Sequence, residues 1–297
     1  MLARSEIRIL FDLMPAPPPD ARSLSAVAVS VTKCGDDGVI LRVRPEQCQT
    51  PIRAARFYML RREDRLSPAI PRPFSLYRQV GDELEFLIKV MGEGTAALAK
   101  CTRGTPLRLV GPLGNGWPAL DGDGPPWVML AGGIGSAPFY MGIQQALVGM
   151  DGRTPAKREQ LVYLYGAARA GLLYDLAAFQ KLGARVETCT DDGSHGFRGN
   201  VIKLLESLWG SGSLPREVRL LACGPERMLE AVEKLARAKN LDCWLSLESV
   251  MGCGVGICNG CPVPTVPAGP MGAWPNAKCC VEGPVFATNA ITLVGAH

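Results

Sequence analysis

Five of the eleven cysteines of this 297-residue chain crowd the stretch from Cys253 to Cys280. Cys253, Cys258 and Cys261 stand in the pattern C-x4-C-x2-C, and Cys279 and Cys280 follow as an adjacent pair. This is the plant-type ligand spacing of a [2Fe–2S] cluster, in which one loop supplies three thiolates and a distant residue the fourth. Gly252, Gly254, Gly256 and Gly260 interleave the cysteines, leaving backbone N–H groups free to curl around inorganic sulfide. Zinc is the rival metal, but zinc ribbons pair two C-x2-C knuckles, whereas the first gap here is four residues. Cys279 and Cys280 cannot both complete a four-thiolate site, since neighbours in an extended segment point to opposite sides. Cys34, Cys48, Cys101, Cys189 and Cys243 read as ordinary buried small residues. The first fourteen residues have no uninterrupted apolar core, so clustered thiols in a reducing, cytoplasmic setting are expected rather than disulfides.

Three further constellations can do chemistry with phosphates and rings. Arg72-Pro73-Phe74-Ser75 offers an arginine for a phosphate and a hydroxyl for a flavin ring nitrogen. Gly92-Glu93-Gly94-Thr95 opens a short helix, whose free N–H groups suit an anion. By residue type alone, the first is equally a turn and the second a helix cap. Ala131-Gly132-Gly133-Ile134-Gly135-Ser136-Ala137-Pro138 ends a strand with a glycine turn, where a nucleotide can approach the backbone. It departs from G-x-G-x-x-G, so a Rossmann dehydrogenase is not supported. Cys223-Gly224-Pro225 and Asp191-Asp192-Gly193-Ser194 fall at the ends of two later strands. Arg169 follows an earlier strand, 161–165, where it can meet a 2′-phosphate, so NAD and NADP both stay open. With only His195 and His297, histidine-rich metal sites and a Ser/His/Asp triad have almost no material.

The elements that must position these residues fall into two patterns. Short β-type runs at 26–33, 39–43, 57–60, 84–90 and 107–110, separated by Gly, Pro and Asp, predict an antiparallel barrel or sandwich. After Asp121 the pattern changes. Apolar strands at 127–131, 161–165, 184–189, 218–222 and 243–247 alternate with helical stretches near 137 and at 173–182, 201–208 and 226–239, which predicts a doubly wound parallel sheet. Beyond Glu248 regular patterning stops, and the tail is expected to fold around its metal centre. The expected class is α+β multi-domain: an N-terminal extension (1–22), a β-barrel (23–121), an α/β nucleotide domain (122–247) and a small cluster-binding domain (248–297). Residues 124–150 carry no formal charge, yet their glycines and Pro138 predict strand, turn and helix rather than a membrane span. A net charge of +4 gives no nucleic-acid footprint.

In this order, Arg-Pro-Phe-Ser, Gly-Gly-Ile-Gly-Ser-Ala-Pro and Cys-Gly-Pro resemble the ferredoxin–NADP reductase superfamily. Gly111-Pro-Leu-Gly-Asn-Gly116, Ser246-Leu247-Glu248, the cysteine loop and Cys280-Val-Glu-Gly-Pro-Val-Phe286 narrow the resemblance to electron-transfer subunits of the NAD-dependent, heterotetrameric dihydroorotate dehydrogenases. The match covers about residues 23–290. It implies an NAD(P)H-linked oxidoreductase subunit in pyrimidine biosynthesis holding FAD, a [2Fe–2S] cluster and NAD(H), with an FMN-containing dihydroorotate dehydrogenase catalytic subunit as partner. Arg72, Pro73, Phe74 and Ser75 would then meet FAD, with Gly92, Gly94 and Thr95 by its pyrophosphate. Gly133, Gly135, Asp192 and Cys223 would line the nicotinamide site, and Cys280 would be the fourth cluster ligand. The gap from Cys261 to Cys280 is long and proline-rich for that family, and the N-terminal extension is unusual. The alternative is a reductase subunit of a sulfite reductase, hydrogenase or transhydrogenase-type complex.

Overall fold

The computed structural model describes residues 20–48, 51–64 and 68–293. Most of the expected N-terminal extension lies outside the described residues, and Arg22 already begins the first strand. Strands β1 (Arg22–Cys34), β2 (Gly38–Pro45), β3 (Phe57–Arg62), β4 (Arg72–Ser75), β5 (Arg78–Val80), β6 (Glu83–Lys89) and β7 (Pro106–Leu113) form a curled antiparallel sheet. Its order is β4-β3-β7-β1-β2-β6-β5, with helix α1 (Glu93–Ala99) between β6 and β7 in the chain. The long β1 pairs with both β2 and β7, and a register shift between Ala28 and Ser30 lets it bend with the curl. Leu41, Val43, Tyr58, Phe86 and Leu109 fill the inner face. The runs expected from the sequence are present, but β4 and β5 are additions. Pro73 is tolerated in β4 because that strand is an edge, paired only with β3.

The second sheet carries β8 (Trp127–Gly132), β9 (Leu161–Ala167), β10 (Arg185–Thr190), β11 (Phe197–Arg198), β12 (Arg219–Cys223) and β13 (Cys243–Ser246), all parallel in the order β11-β10-β9-β8-β12-β13. Helices α2 (Phe139–Val148), α3 (Leu176–Lys181), α4 (Val201–Gly210) and α5 (Glu226–Lys239) connect them. Every residue of β8 is buried, as a parallel strand covered on both faces requires. The strand order reverses between β8 and β12, and ligands of open α/β sheets bind at such a switch point. The charge-free stretch 124–150 is β8, a glycine turn and α2. No helix among the described residues is long and apolar enough to cross a membrane.

The helix expected over 173–182 is shorter than its apolar pattern. Asp175 takes a left-handed φ of +48°, and its carboxylate accepts from the Tyr77 hydroxyl at 2.8 Å and pairs with Arg78 at 3.2 Å. Tertiary bonds to the first sheet override local propensity there. The two sheets share one core, in which Trp117 stacks on Phe139 and Tyr163 on Phe179.

Past β13 the chain forms the cysteine loop and a small hairpin, β14 (Pro262–Pro264) with β15 (Asn276–Lys278). It then returns as β16 (Val285–Ala287), antiparallel to β13, and so completes the second sheet. The Asn115 side chain donates to the carbonyls of Glu282 and Val285 at 2.7 Å each and accepts the Val285 N–H at 3.1 Å. The tail is thus fastened to both sheets, more closely than a separate cluster lobe would be.

Candidate functional site

Two adjoining cavities open where the sheets meet. The smaller, about 270 Å³, is lined by Arg72, Pro73, Phe74 and Ser75 of β4, by Thr95, and by Gly135, Pro138 and Cys223. The larger, about 440 Å³, runs from Gly132 and Gly133 past Gly166–Ala168 to Asp191 and Asn200. Lys89, Met91, Ile134 and Glu248 border both.

Each expected residue can now be placed. Edge strand β4 holds Arg72 to Ser75 along one wall of the smaller cavity. The Arg72 guanidinium lies over the start of α1, where a Cβ on Gly94 would approach its Nε to 3.3 Å. Thr95 Oγ1 accepts the N–H groups of Met91 and Gly92 at 2.9 and 3.1 Å, which fixes the loop entering the helix. Arg72, Gly94 and Thr95 therefore come together, while Gly92 caps the helix and lies outside the cavity lining. Gly133 has a φ of +53° and open space beside its Cα, so the backbone is exposed to a ligand at that point. Gly135 serves packing: a Cβ there would sit 2.4 Å from the Cys223 carbonyl oxygen. Asp192 lies outside both cavity linings. Its carboxylate accepts from the backbone N–H and hydroxyl of Ser194, at 2.9 and 2.6 Å, and these bonds hold its pKa below the usual carboxylate value. The aspartate lining the larger cavity is its neighbour Asp191.

Glu248 was not singled out from the sequence as a site residue. It follows the last parallel strand and borders both cavities, its side chain exposed to them. Desolvation by the cavity walls raises its carboxyl pKa, against the opposing charge of Lys89. Burial also raises the Cys223 thiol, which Glu248's charge pushes further up. The tail supplies more of the wall through Leu247, Ser249, Met251 and Pro284. Only the return of the chain through β16 brings Pro284 there, and no local pattern announces it.

The cysteine loop packs against β3 through Gly254, whose φ is +73°; a Cβ there would lie 2.5 Å from Met59 Cγ. The Lys278 ammonium donates to the Gly256 carbonyl at 2.9 Å, tying the hairpin to the loop. The sulfurs form two pairs. Cys253 Sγ accepts N–H groups from Val255 and Cys258 at 3.5 and 3.4 Å and lies within reach of the Cys258 thiol. Burial opposes ionisation of Cys253, but these donors outweigh it and bring its pKa down to about 7. Cys261 and Cys280 bring their sulfurs to 3.3 Å and share a proton, which lowers Cys261 to about 6 and raises Cys280. Cys279 turns the other way, fully buried, with its thiol pushed up to about 12 by burial. Two pairs with amide donors aimed at sulfur suit a two-iron centre, in which each iron takes two thiolates.

The architecture, a curled antiparallel sheet followed by a parallel α/β sheet, is that of the ferredoxin reductases. An NADH-dependent reduced ferredoxin–NADP oxidoreductase shares it with a TM-score of 0.73 at 22% identity, over 89% of this chain and 88% of that one. A ferredoxin NADP+ reductase from Neisseria gonorrhoeae, with bound FAD and NADP, aligns with a TM-score of 0.57 at 18% identity, over 75% of this chain and 92% of that one.

Residues 248–292 match the iron-sulfur cluster binding domain of dihydroorotate dehydrogenase B. The dihydroorotate dehydrogenase B (NAD(+)) electron transfer subunit of Bacillus mycoides is 33% identical over 77% of this chain and 82% of its own length. That of Clostridium acetobutylicum is 30% identical over 82% and 87%. The chain belongs to the family of dihydroorotate dehydrogenase B electron transfer subunits.

Proposed function

We propose that this chain takes electrons between a nicotinamide nucleotide and a partner subunit, with FAD in the smaller cavity, the nucleotide in the larger and a [2Fe–2S] cluster on Cys253, Cys258, Cys261 and Cys280. The observation that carries the reading is the junction at Lys89, Met91 and Glu248, where two cavities meet against a wall made by the approach to the cysteine loop. A bound flavin supplies exchange between two-electron hydride chemistry and one-electron transfer.

The residues of the chain position and insulate. Arg72 and Thr95 suit the flavin's phosphates, and Ser75 suits a polar edge of its ring. The exposed backbone at Gly133 suits the nucleotide's pyrophosphate. Leu247, Met251 and Pro284 exclude water between flavin and cluster. By family, the partner is the FMN-containing catalytic subunit that oxidises dihydroorotate, in a heterotetramer in the cytoplasm. The three parts of the chain divide this labour near residues 121 and 247.

Anaerobically purified protein should hold FAD and about two irons with two labile sulfides per chain, and should reduce an artificial dye with NADH. Stoichiometric zinc without flavin would overturn the reading.

A further inference from the structure

The turn between β1 and β2 reaches out of the first sheet and docks on the loop after β9. The Asp36 N–H donates to the Gly171 carbonyl at 2.9 Å. A Cβ on Gly35, whose φ is +68°, would meet that carbonyl at 2.5 Å, and a Cβ on Gly171 would lie 2.2 Å from an Asp36 carboxylate oxygen. Beside it, the Tyr174 hydroxyl donates to Asp37 at 2.5 Å. On this seat Asp36 accepts a hydrogen bond from Arg169 Nε at 2.9 Å. Ion pairs between half-exposed groups are usually weak because two side chains must be ordered. Here the backbone bond and the glycine contacts have already ordered Asp36.

Arg169 lies two residues beyond β9, beside Ala167 and Ala168 of the larger cavity. In a doubly wound sheet this position faces the adenosine ribose: an acid there takes a 2′-hydroxyl, and an arginine accommodates a 2′-phosphate. The chain offers the arginine, yet a carboxylate already occupies it. Asp191 and Asp192 add negative charge on the neighbouring loop, whose Ser194 hydroxyl accepts the Ala170 N–H at 2.8 Å. A 2′-phosphate arriving here would face carboxylate charge as well as the guanidinium, while a 2′-hydroxyl would not be repelled.

We infer that Asp36, by occupying Arg169, makes this chain discriminate against 2′-phosphorylated nucleotides, so that NADH is accepted and NADPH rejected. The inference rests on the larger cavity being the nicotinamide nucleotide site. Calorimetric titration of the full cofactor-bearing chain with AMP and with adenosine 2′,5′-bisphosphate tests it, because the two probes differ only in the 2′-phosphate. Wild type should favour AMP. Asp36→Asn, which keeps the shape, and Asp36→Ala, which frees the guanidinium, should raise the bisphosphate-to-AMP affinity ratio by about tenfold, the scale of one charge-assisted bond. Adding Arg169→Ala should abolish the gain, and the NADPH-to-NADH ratio of kcat/KM in dye reduction should follow. Wild-type preference for the bisphosphate, a ratio moving less than twofold in both Asp36 variants, or a gain that survives loss of Arg169 would each overturn the inference alone. Binding of neither probe, with no NADH oxidation, would overturn the site assignment and the inference with it.

Discussion

Gly254→Ala tests whether the cysteine loop depends on its seat against β3. Two costs add. An alanine held at φ +73° is strained by about 1–2 kcal/mol. Its Cβ would also lie 2.5 Å from Met59 Cγ, 2.8 Å from Met59 Sδ and 3.2 Å from Leu113 Cδ1. Met59 and Leu113 are fully buried, so relief requires repacking, and overpacking of this kind costs about 1–3 kcal/mol. A thioether chain is adaptable, which favours the lower half of that range. Together they weaken docking of the loop by about 2–4 kcal/mol, a factor of roughly 30 to a thousand. Gly252→Ala is the control, because its Cβ would meet only Cys258 Sγ, at an ordinary 3.6 Å. Iron and labile sulfide per chain after anaerobic purification, with the rate of limited proteolysis in the tail, measure the effect. Gly254→Ala should lose cluster and be cut faster, while Gly252→Ala should match wild type. A Gly254→Ala protein with full iron and unchanged proteolysis would refute the reasoning.

Cys280→Ser should abolish the visible absorption of the cluster. Cys279→Ala should keep it and lose about 1–2 kcal/mol of stability from a fully buried site; the reverse pattern of spectra would move the fourth ligand by one residue. Asn115→Ala removes three hydrogen bonds to the returning chain and should cost about 2–4 kcal/mol in urea unfolding, with less iron retained; a shift below 1 kcal/mol would contradict the fastening role. Folding raises the Glu248 pKa, so the unfolded state ionises first and wild-type stability falls as pH rises above the unfolded value of about 4.3. Glu248→Gln should therefore melt higher than wild type at pH 7 and level with it near pH 4, and a pH-independent difference in Tm would rule this out.

Chemistry carried by spacing was legible in the sequence. C-x4-C-x2-C and the glycine turn after β8 each depend on residues a few positions apart. The β4 segment was legible as a motif but not as a strand, because four residues with a proline hold no periodicity. Choosing between Asp191 and Asp192 required the cavity lining, which includes Asp191, and the Ser194 hydroxyl, which engages Asp192 within its own loop. Glu248 escaped notice because the two cavities it borders exist only once the sheets have come together. Likewise, nothing local to Asp36 marks it as a partner of Arg169, 133 residues away.

The return of β16 bears on how the protein is made. Residues 285–287, synthesised long after the strands they join, finish a sheet whose first strand begins at Trp127. A nascent chain ending near 248 has β13 as an open edge and a smaller cavity lacking Met251 and Pro284. The smaller cavity is thus completed only once the tail has been made, not by domains folding one by one during synthesis. Exchanging tails between relatives, for the same reason, would transplant part of a cavity wall along with the cysteines.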